Sequence, residues 1–163
     1  MSQDTAFLQL RSATVEDVET IFNLIQALAE YEKLSHQVIG TPEQLKEHLF
    51  GKHPYAEVIL ADIQDKTVGF ALFFHNYSTF LTQPGIYLED LFVLPEYRRK
   101  GIGKALIVAV AQLAVSRNCG RLEWSVLDWN QPAIDFYRSI GAAILEEWKT
   151  CRVTETALVQ LKS

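Results

Sequence analysis

The chain of 163 residues predicts an α/β fold of the α+β kind, a mixed and mostly antiparallel central sheet flanked by helices. Segments with the composition of strands outnumber those with helical periodicity, and several follow one another directly in the middle of the chain. Neither a repeat nor a Gly/Ser-rich linker interrupts the sequence. We therefore expect a single domain over residues 1–163.

The first part of the chain predicts one strand and two helices. A strand is expected over 7–10, and Thr14 then opens a helix that ends near Tyr31. The Thr-Pro-Glu-Gln run at 41–44 predicts a capped second helix, which ends near Phe50. The apolar stripe expected to bury the first helix consists of Val18, Ile21, Phe22, Ile25, Leu28 and Ala29.

The middle of the chain predicts a hairpin and a third long strand. Apolar segments at 57–61 and 67–74 flank a turn at 64–66. A loop is expected over 77–85, followed by a strand over 86–93. The remaining predicted elements are a helix over 104–117, a strand over 121–127, a helix over 132–140, and two last strands over 143–149 and 156–161.

Composition and charge exclude several classes of function. The formal net charge of −5 argues against a broad surface for binding nucleic acid. It is compatible with a cationic small molecule as ligand. No apolar run approaches the roughly 20 residues of a transmembrane helix, so we expect no membrane segment. The first residues carry no secretory signal pattern, and Cys119 and Cys151 are expected to be buried free thiols. A cytoplasmic protein is therefore expected.

No metal is expected either, because His36, His48, His53 and His75 lack the spacing of a metal site. The cysteines are not flanked by a second pair of ligands. A serine-hydrolase elbow of the form G-x-S-x-G is also absent from the sequence. These patterns leave metal-dependent and serine-hydrolase chemistry without support.

The most informative segment is the basic, glycine-containing turn over 98–104, between a predicted strand and a predicted helix. Gly101 and Gly103 let the backbone approach a ligand closely. A helix N-terminus leaves amide N–H groups unpaired, and the helix dipole favours an anion there. The positive charges of Arg98, Arg99, Lys100 and Lys104 strengthen this site. A diphosphate would suit it.

Two nucleotide-binding motifs lack the residues they need in this turn and directly after it. A dinucleotide fingerprint needs glycine at position 106, where the chain has Leu106. A P-loop needs Ser or Thr at position 105 and glycine at position 98, where Ala105 and Arg98 stand. The plain alternative, a basic solvated turn that only caps a helix, stays open at this point.

A second motif follows at 128–142, with the sequence Asp-Trp-Asn-Gln-Pro-Ala-Ile-Asp-Phe-Tyr-Arg-Ser-Ile-Gly-Ala. Asn130 can cap a helix, and Pro132 suits its first turn. Ala133, Phe136, Tyr137 and Ile140 share one helix face. Taken alone, Tyr137 would be expected to pack in this apolar stripe.

Together, the R-x-x-G-x-G turn and the second motif resemble the GCN5-related N-acetyltransferase superfamily. Within it, the chain is most similar to the spermidine/spermine (diamine) N-acetyltransferases, through the runs 29–33, 87–93, 97–103 and 129–137. The resemblance implies transfer of an acetyl group from acetyl-CoA to a small primary amine, directly in a ternary complex. Relatives of similar sequence accept thialysine or lysine-like amines. A homodimer is also implied.

The resemblance assigns residues to three groups. The cofactor-binding residues it implies are Leu91, Phe92, Val93, Arg98, Arg99, Lys100, Gly101, Ile102, Gly103, Lys104, Asn130, Pro132, Ala133 and Tyr137. The substrate-binding residues are Tyr31, Glu32, Glu89, Asp90, Glu123, Trp124, Ser125 and Glu147. Glu123-Trp124-Ser125 and the stretch around Glu147 depart from the polyamine enzymes, which leaves the particular amine open.

The catalytic residues implied are Tyr137 and Glu89. In the family, this tyrosine lies beside the coenzyme sulfur, and a phenol with a reference pKa of about 10 can protonate the departing thiolate. Glu89 and Asp90 are adjacent, so a regular strand would point them to opposite faces unless a bulge re-aims one. The family has such a bulge at this place. Glu89 is the favoured base, and Asp90 is expected to be ordinary surface.

Three alternative functions remain open from the sequence. The chain could acetylate protein lysines or N-termini, bind acetyl-CoA as a non-catalytic sensor, or carry a degenerate site on an interaction protein. The intact glycine turn and the presence of Tyr137 and Glu89 favour catalysis.

Overall fold

A computed structural model describes residues 7–163, and within them five strands form one sheet in the order β1-β2-β3-β4-β5. Neighbouring strands are antiparallel except β4 and β5, which are parallel. This mixed sheet with flanking helices confirms the predicted fold class. The elements are β1 (Leu8–Ser12), α1 (Val18–Tyr31), α2 (Pro42–Phe50), β2 (Glu57–Ile63), β3 (Lys66–Ser78), β4 (Gln83–Val93), α3 (Ile102–Ser116), β5 (Leu122–Glu123), α4 (Gln131–Ser139) and α5 (Glu155–Leu161).

Contacts divide the chain into two compact units, one ending at Ser125 and the other running from Val126 to Ser163. The first unit contains the whole sheet together with α1, α2 and α3. The second contains α4 and α5.

The core of the first unit places α1 and α2 on one face of the sheet. Ile21 and Leu28 of α1 and Leu49 of α2 pack with Leu60 of β2 and Phe92 of β4 in one buried cluster. Burying such side chains contributes roughly 2 kcal/mol each, so this cluster fixes the sheet against the helices.

Helix α3 packs on the opposite face of the sheet. A Cβ built on Gly69 of β3 would lie 3.4 Å from Leu106 Cδ1 of α3 and 3.3 Å from Val93 Cγ2 of β4. Successive strand residues alternate between faces, and Phe70, the next residue, lies in the α1–α2 cluster. The two faces of β4 therefore meet different helices.

Several predicted boundaries are confirmed because local caps and turns set them. Thr41 Oγ1 accepts the N–H of Gln44 at 3.2 Å, the Thr41 N–H donates to Gln44 Oε1 at 3.0 Å, and α2 starts at Pro42. Gln64 and Asp65 both have positive φ and form the predicted turn between β2 and β3.

The predicted loop over 77–85 is wrong. Strands β3 and β4 stay paired up to Ser78 opposite Gln83, so the connection is only four residues long, 79–82. Helix α3 also begins two residues before the predicted start, because Gly101 ends the turn in a left-handed conformation and Ile102 is already buried.

The two predicted last strands are also wrong. Residues 155–161 form helix α5, and 143–154 have no regular structure. The predicted strand over 121–127 is limited to the two residues of β5. A strand needs a neighbouring strand to pair its backbone, whereas a helix pairs its own. Residues 143–163 are all exposed, and so is Cys151, which was expected to be buried; Cys119 is half-buried.

Candidate active site

The turn before α3 has the backbone of an anion site. Gly101 adopts φ +79°, and a Cβ built on it would meet nothing within 4 Å. Ala105 N–H is the donor of the bond to Gly101 O at 3.0 Å, which opens the helical ladder. Helical geometry therefore leaves the N–H groups of Ile102, Gly103 and Lys104 without an intrahelical acceptor, at the positive end of the helix dipole.

The same turn lies against the end of β4. A Cβ on Gly103 would come within 3.9 Å of Val93 Cγ2, so α3 approaches the strand closely at its first turn. Arg99 and Lys104 are exposed, and Lys100 Nζ lies 5.7 Å from the centroid of the Tyr97 ring. Amides and cations thus gather where β4 ends, which fits the diphosphate expected from the sequence.

Arg98 occupies a different position from the other cations of the turn. Its Nε donates to the carbonyl of Val93 at 2.9 Å, and its guanidinium carbon lies 4.3 Å from the Tyr31 ring centroid and 5.3 Å from that of Phe92. Its side chain therefore connects the end of α1 to the end of β4. The sequence did not reveal this packing, because Tyr31 and Arg98 belong to separate motifs.

Strand β4 carries a bulge at the expected place. Asp90 is paired with Leu72 and Leu88 with Phe73, so Glu89 has no partner on β3. The extra residue changes the alternation of side chains along the strand. As a result, Leu88 and Asp90 point to opposite faces although they are two residues apart.

The bulge places Asp90 on the face that α1 covers. Directly opposed residues share a face, and Leu72, the partner of Asp90, belongs to the cluster formed by α1 and α2. Phe92, two residues further, lies in the same cluster. Leu91 and Val93 consequently face α3. Glu89, at the bulge itself, is exposed.

The electrostatic environment of Asp90 is unusual for a surface carboxylate. Burial, together with the negative charges of Glu89 and Glu32, raises the pKa of Asp90 to about 7. Burial also raises the pKa of Glu32, directly after α1. Asp90 was expected to be ordinary surface, but it is half-buried and feels two acidic neighbours. The sequence feature that could have indicated a role for Asp90 is its adjacency to Glu89. Only a bulge can bring two neighbouring carboxylates of a strand into one site.

Strands β4 and β5 part soon after they meet. They pair at Ile86–Leu122 and Tyr87–Glu123, and no strand of the described chain pairs with that edge of β4 from Leu88 onward. The separation begins where Tyr87 OH and Ser125 Oγ form a hydrogen bond of 2.8 Å. An open strand edge offers backbone donors and acceptors to an extended ligand.

The expected substrate residues in β5 and directly after it form bonds with other residues of the protein. Glu123 Oε1 accepts from Arg121 Nε at 2.8 Å and from Asn76 Nδ2 at 3.3 Å. Ser125 bonds Tyr87, and Trp124 is half-buried. The charge of Glu123 is therefore balanced by an arginine, in contrast to the acidic surroundings of Asp90.

The second unit contains the other predicted motif. Asn130 is buried, and its Oδ1 accepts the N–H of Ala133 at 3.4 Å, which confirms it as the cap of α4. Pro132 lies in the first turn. Tyr137 is half-buried, with its ring centroid 5.5 Å from that of Phe136. Glu147 lies in the exposed segment without regular structure.

Two further properties describe the chain from residue 7 onward. No group of three or more His, Cys, Asp or Glu side chains is arranged to hold a metal ion. None of the helices combines the length and apolarity that crossing a membrane requires.

Comparisons with known proteins show which family this chain is similar to. The family model described as "Acetyltransferase (GNAT) family" matches residues 21–142. A thialysine N-epsilon-acetyltransferase of Bos taurus is 40% identical, with 96% of this chain and 98% of the relative aligned. An L-ornithine N5-acetyltransferase of Arabidopsis thaliana is 36% identical, with 93% and 86% aligned.

A solved structure shares the fold. An integron cassette protein from the mobile metagenome of V. cholerae superposes with a TM-score of 0.80 at 27% identity, covering 96% of this chain and 98% of that one. The family match spans most of the chain and includes the glycine turn, the bulge and the second motif. The chain is an N-acetyltransferase and belongs to the acetyltransferase (GNAT) family.

Proposed function

We propose that the protein transfers the acetyl group of acetyl-CoA to a small aliphatic primary amine in a ternary complex. The observation that carries this proposal is the position of the α3 N-terminus beside the bulged, open edge of β4. An anion site and an extended backbone edge lie side by side there, as a thioester with a diphosphate requires.

The coenzyme would be held mainly by backbone groups. The amides of Ile102, Gly103 and Lys104 receive the diphosphate, and Arg99 and Lys100 add positive charge. The pantetheine arm extends along the edge of β4 from Val93 toward the bulge. The motif around Asn130 and Ala133 is assigned to the pantetheine on family resemblance.

The amine would bind on the α1 side of β4. Glu32, Glu89 and Asp90 create a negative potential that attracts an alkyl-ammonium group. Tyr31, whose ring packs against Arg98, lies directly before Glu32. The thialysine and ornithine named for two relatives both carry a primary amine at the end of an aliphatic side chain. We therefore propose an acceptor of this kind, with diamines and polyamines as members of the same class.

The transfer needs three groups besides the substrates. A carboxylate of the bulge, Glu89 or Asp90, takes one proton from the ammonium, and the neutral nitrogen attacks the thioester carbonyl. Backbone N–H groups near Phe92 and Val93 stabilise the developing oxyanion. Tyr137 donates its proton to the departing thiolate and recovers one from the nitrogen. Its assignment rests on the resemblance of its motif.

A panel of amines tests the proposal. The pure protein is mixed with acetyl-CoA and thialysine, ornithine, lysine, spermidine, or a peptide with a free N-terminus, and thiol release is measured. Turnover of one or more small amines, with the acetylated product seen by mass spectrometry, is expected. Turnover of the peptide alone would indicate a protein acetyltransferase, and acetyl-CoA binding without turnover would indicate a sensor.

The family resemblance also supports a homodimer, and we propose a cytoplasmic location, as the sequence pattern leads us to expect. Light scattering during gel filtration should give twice the mass of one chain, and a single-chain mass would contradict the dimer. A tagged protein followed by fractionation should be found in the cytoplasm.

A further inference from the structure

The bulge of β4 provides two carboxylates with different surroundings. Glu89 is the extra residue and is exposed, whereas Asp90 is half-buried on the face that α1 covers. Two acids in unlike environments can divide the work of attraction and proton transfer.

We propose that Asp90 is the general base of the acetyl transfer and that Glu89 attracts the cationic amine. The geometry supports this division because the bulge turns Asp90 to the face opposite α3. The coenzyme site at the α3 N-terminus therefore lies on one face of β4, and the Asp90 side chain lies on the other. This inference rests on the proposed function and assigns its base.

The two charged groups that raise the pKa of Asp90 are both acidic. Glu89 acts on it from the same strand and Glu32 from the end of α1. Arg98 also packs on this face, with its guanidinium over the Tyr31 and Phe92 rings. Strand β3 contributes the apolar Leu72 opposite Asp90.

These surroundings make Asp90 a suitable base near neutral pH. Burial and the two acidic neighbours raise its pKa to about 7, so at that pH a large fraction is ionised and ready to accept a proton, which it then binds well. An ordinary exposed aspartate with a pKa of about 4 would be a much weaker proton acceptor. The three carboxylates interact, so the inflection observed in solution belongs to the group as a whole.

The proton balance has two parts. Asp90 takes one proton from the ammonium before attack and later releases it to solvent. As the C–N bond forms and the C–S bond breaks, the nitrogen loses its second proton, which compensates the one that the thiolate receives. The net products are the acetylated amine, coenzyme A with its thiol, and one proton.

The first test compares Asp90→Asn with Glu89→Gln at saturating acetyl-CoA, using the best amine of the panel. Asp90→Asn is expected to lower kcat by about 100-fold or more and to remove the rise of kcat with pH near neutrality. Glu89→Gln is expected to raise KM for the amine while keeping that rise. A kcat of Asp90→Asn within a few-fold of wild type, with the pH inflection retained, would overturn the inference.

The second test changes the amine. Fluorination of the accepted amine lowers the pKa of its ammonium group, so less of it needs deprotonation by the enzyme. The kcat ratio of wild type to Asp90→Asn should fall several-fold for this analogue. If the kcat ratio of wild type to Asp90→Asn were the same for both amines, Asp90 would not be acting as a base.

A third test does not depend on turnover. Because the folded pKa of Asp90 is above its unfolded value near 4, its contribution to stability is complete below pH 4 and is lost as pH rises through about 7. Asp90→Asn should therefore gain thermal stability over wild type as pH rises from 4 to 8. A constant difference would count against the raised pKa. If the wild-type protein were inactive on every amine, that result would instead refute the proposed function itself.

Discussion

The guanidinium carbon of Arg98 lies 4.3 Å from the centroid of the Tyr31 ring, and Arg98 Nε donates to the carbonyl of Val93 at 2.9 Å. One side chain thus joins the end of α1 to the end of β4. The acidic residue Glu32, directly after Tyr31, is thereby held near the face of β4 on which Asp90 lies. The glycine motif thus begins with a residue that packs on the side of β4 proposed for the amine.

Replacing Arg98 should mainly affect stability. Arg98→Ala removes a charged hydrogen bond and a cation–π contact, and we expect the free energy of unfolding to fall by about 2 kcal/mol in urea titrations. Arg99→Ala, at the exposed neighbouring arginine, is the control and should change stability little. If Arg98→Ala kept full stability and lost only acetyl-CoA affinity, Arg98 would be an anion ligand.

Glycine at position 101 should matter for both stability and coenzyme binding. Gly101→Ala places a Cβ in a left-handed conformation, which costs about 1–2 kcal/mol, and this strain falls on the turn that presents the first amides of α3. We expect about tenfold weaker acetyl-CoA binding by calorimetry.

The matched control is Gly141→Ala, since Gly141 has φ +97° and equally open space around a built Cβ. It should lose a similar free energy of unfolding and keep its acetyl-CoA affinity. Equal losses of affinity in both variants would show that the effect of Gly101→Ala is only strain.

Removing the hydroxyl group of Tyr137 should slow the chemical step. Tyr137→Phe keeps the ring and its packing against Phe136 but loses the proposed acid, so kcat should fall by roughly 10²-fold while acetyl-CoA affinity stays the same. Tyr77→Phe, at an exposed tyrosine of β3, is the control and should behave like wild type. An unchanged kcat in Tyr137→Phe would remove Tyr137 from the mechanism.

An ion pair near β1 should make stability depend on pH. Asp17 accepts two bonds from Arg11, at 2.8 and 2.9 Å, and these, with the Thr14 N–H, lower the pKa of Asp17 to about 2. A lowered folded pKa gives stability above the unfolded pKa near 4 that is lost as pH falls through about 2.

Asp17→Asn should therefore cost roughly 1–3 kcal/mol at pH 7 and much less near pH 2, by urea unfolding. In an Arg11→Gln background the same substitution should cost far less, because the partner is already missing. An effect that is independent of pH would show that the pair does not hold Asp17 ionised.

The sequence predicted features that depend on neighbouring residues. The start of α2 follows from the reciprocal bonds between Thr41 and Gln44, and the cap of α4 follows from Asn130. The bulge lies where two acidic residues interrupt an apolar strand. In each case the residues that decide the structure are close together in the chain.

Features that depend on distant residues were missed. The segment at 156–161 has a strand-like composition, but without a neighbouring strand it forms α5. The environment of Asp90 depends on Glu32, which α1 brings close, and the role of Arg98 depends on Tyr31 at the end of the same helix. Packing of this kind cannot be deduced from spacing along the chain.

Calorimetric titration with acetyl-CoA and with acetyl-pantetheine, which lacks the diphosphate, tests the central claim most directly. If the amides at the start of α3 hold the diphosphate, acetyl-CoA should bind one site per chain with micromolar affinity. Acetyl-pantetheine should bind about 100-fold more weakly, as the loss of two charge-assisted hydrogen bonds implies. Equal affinity for both compounds, or no binding of acetyl-CoA, would contradict the claim.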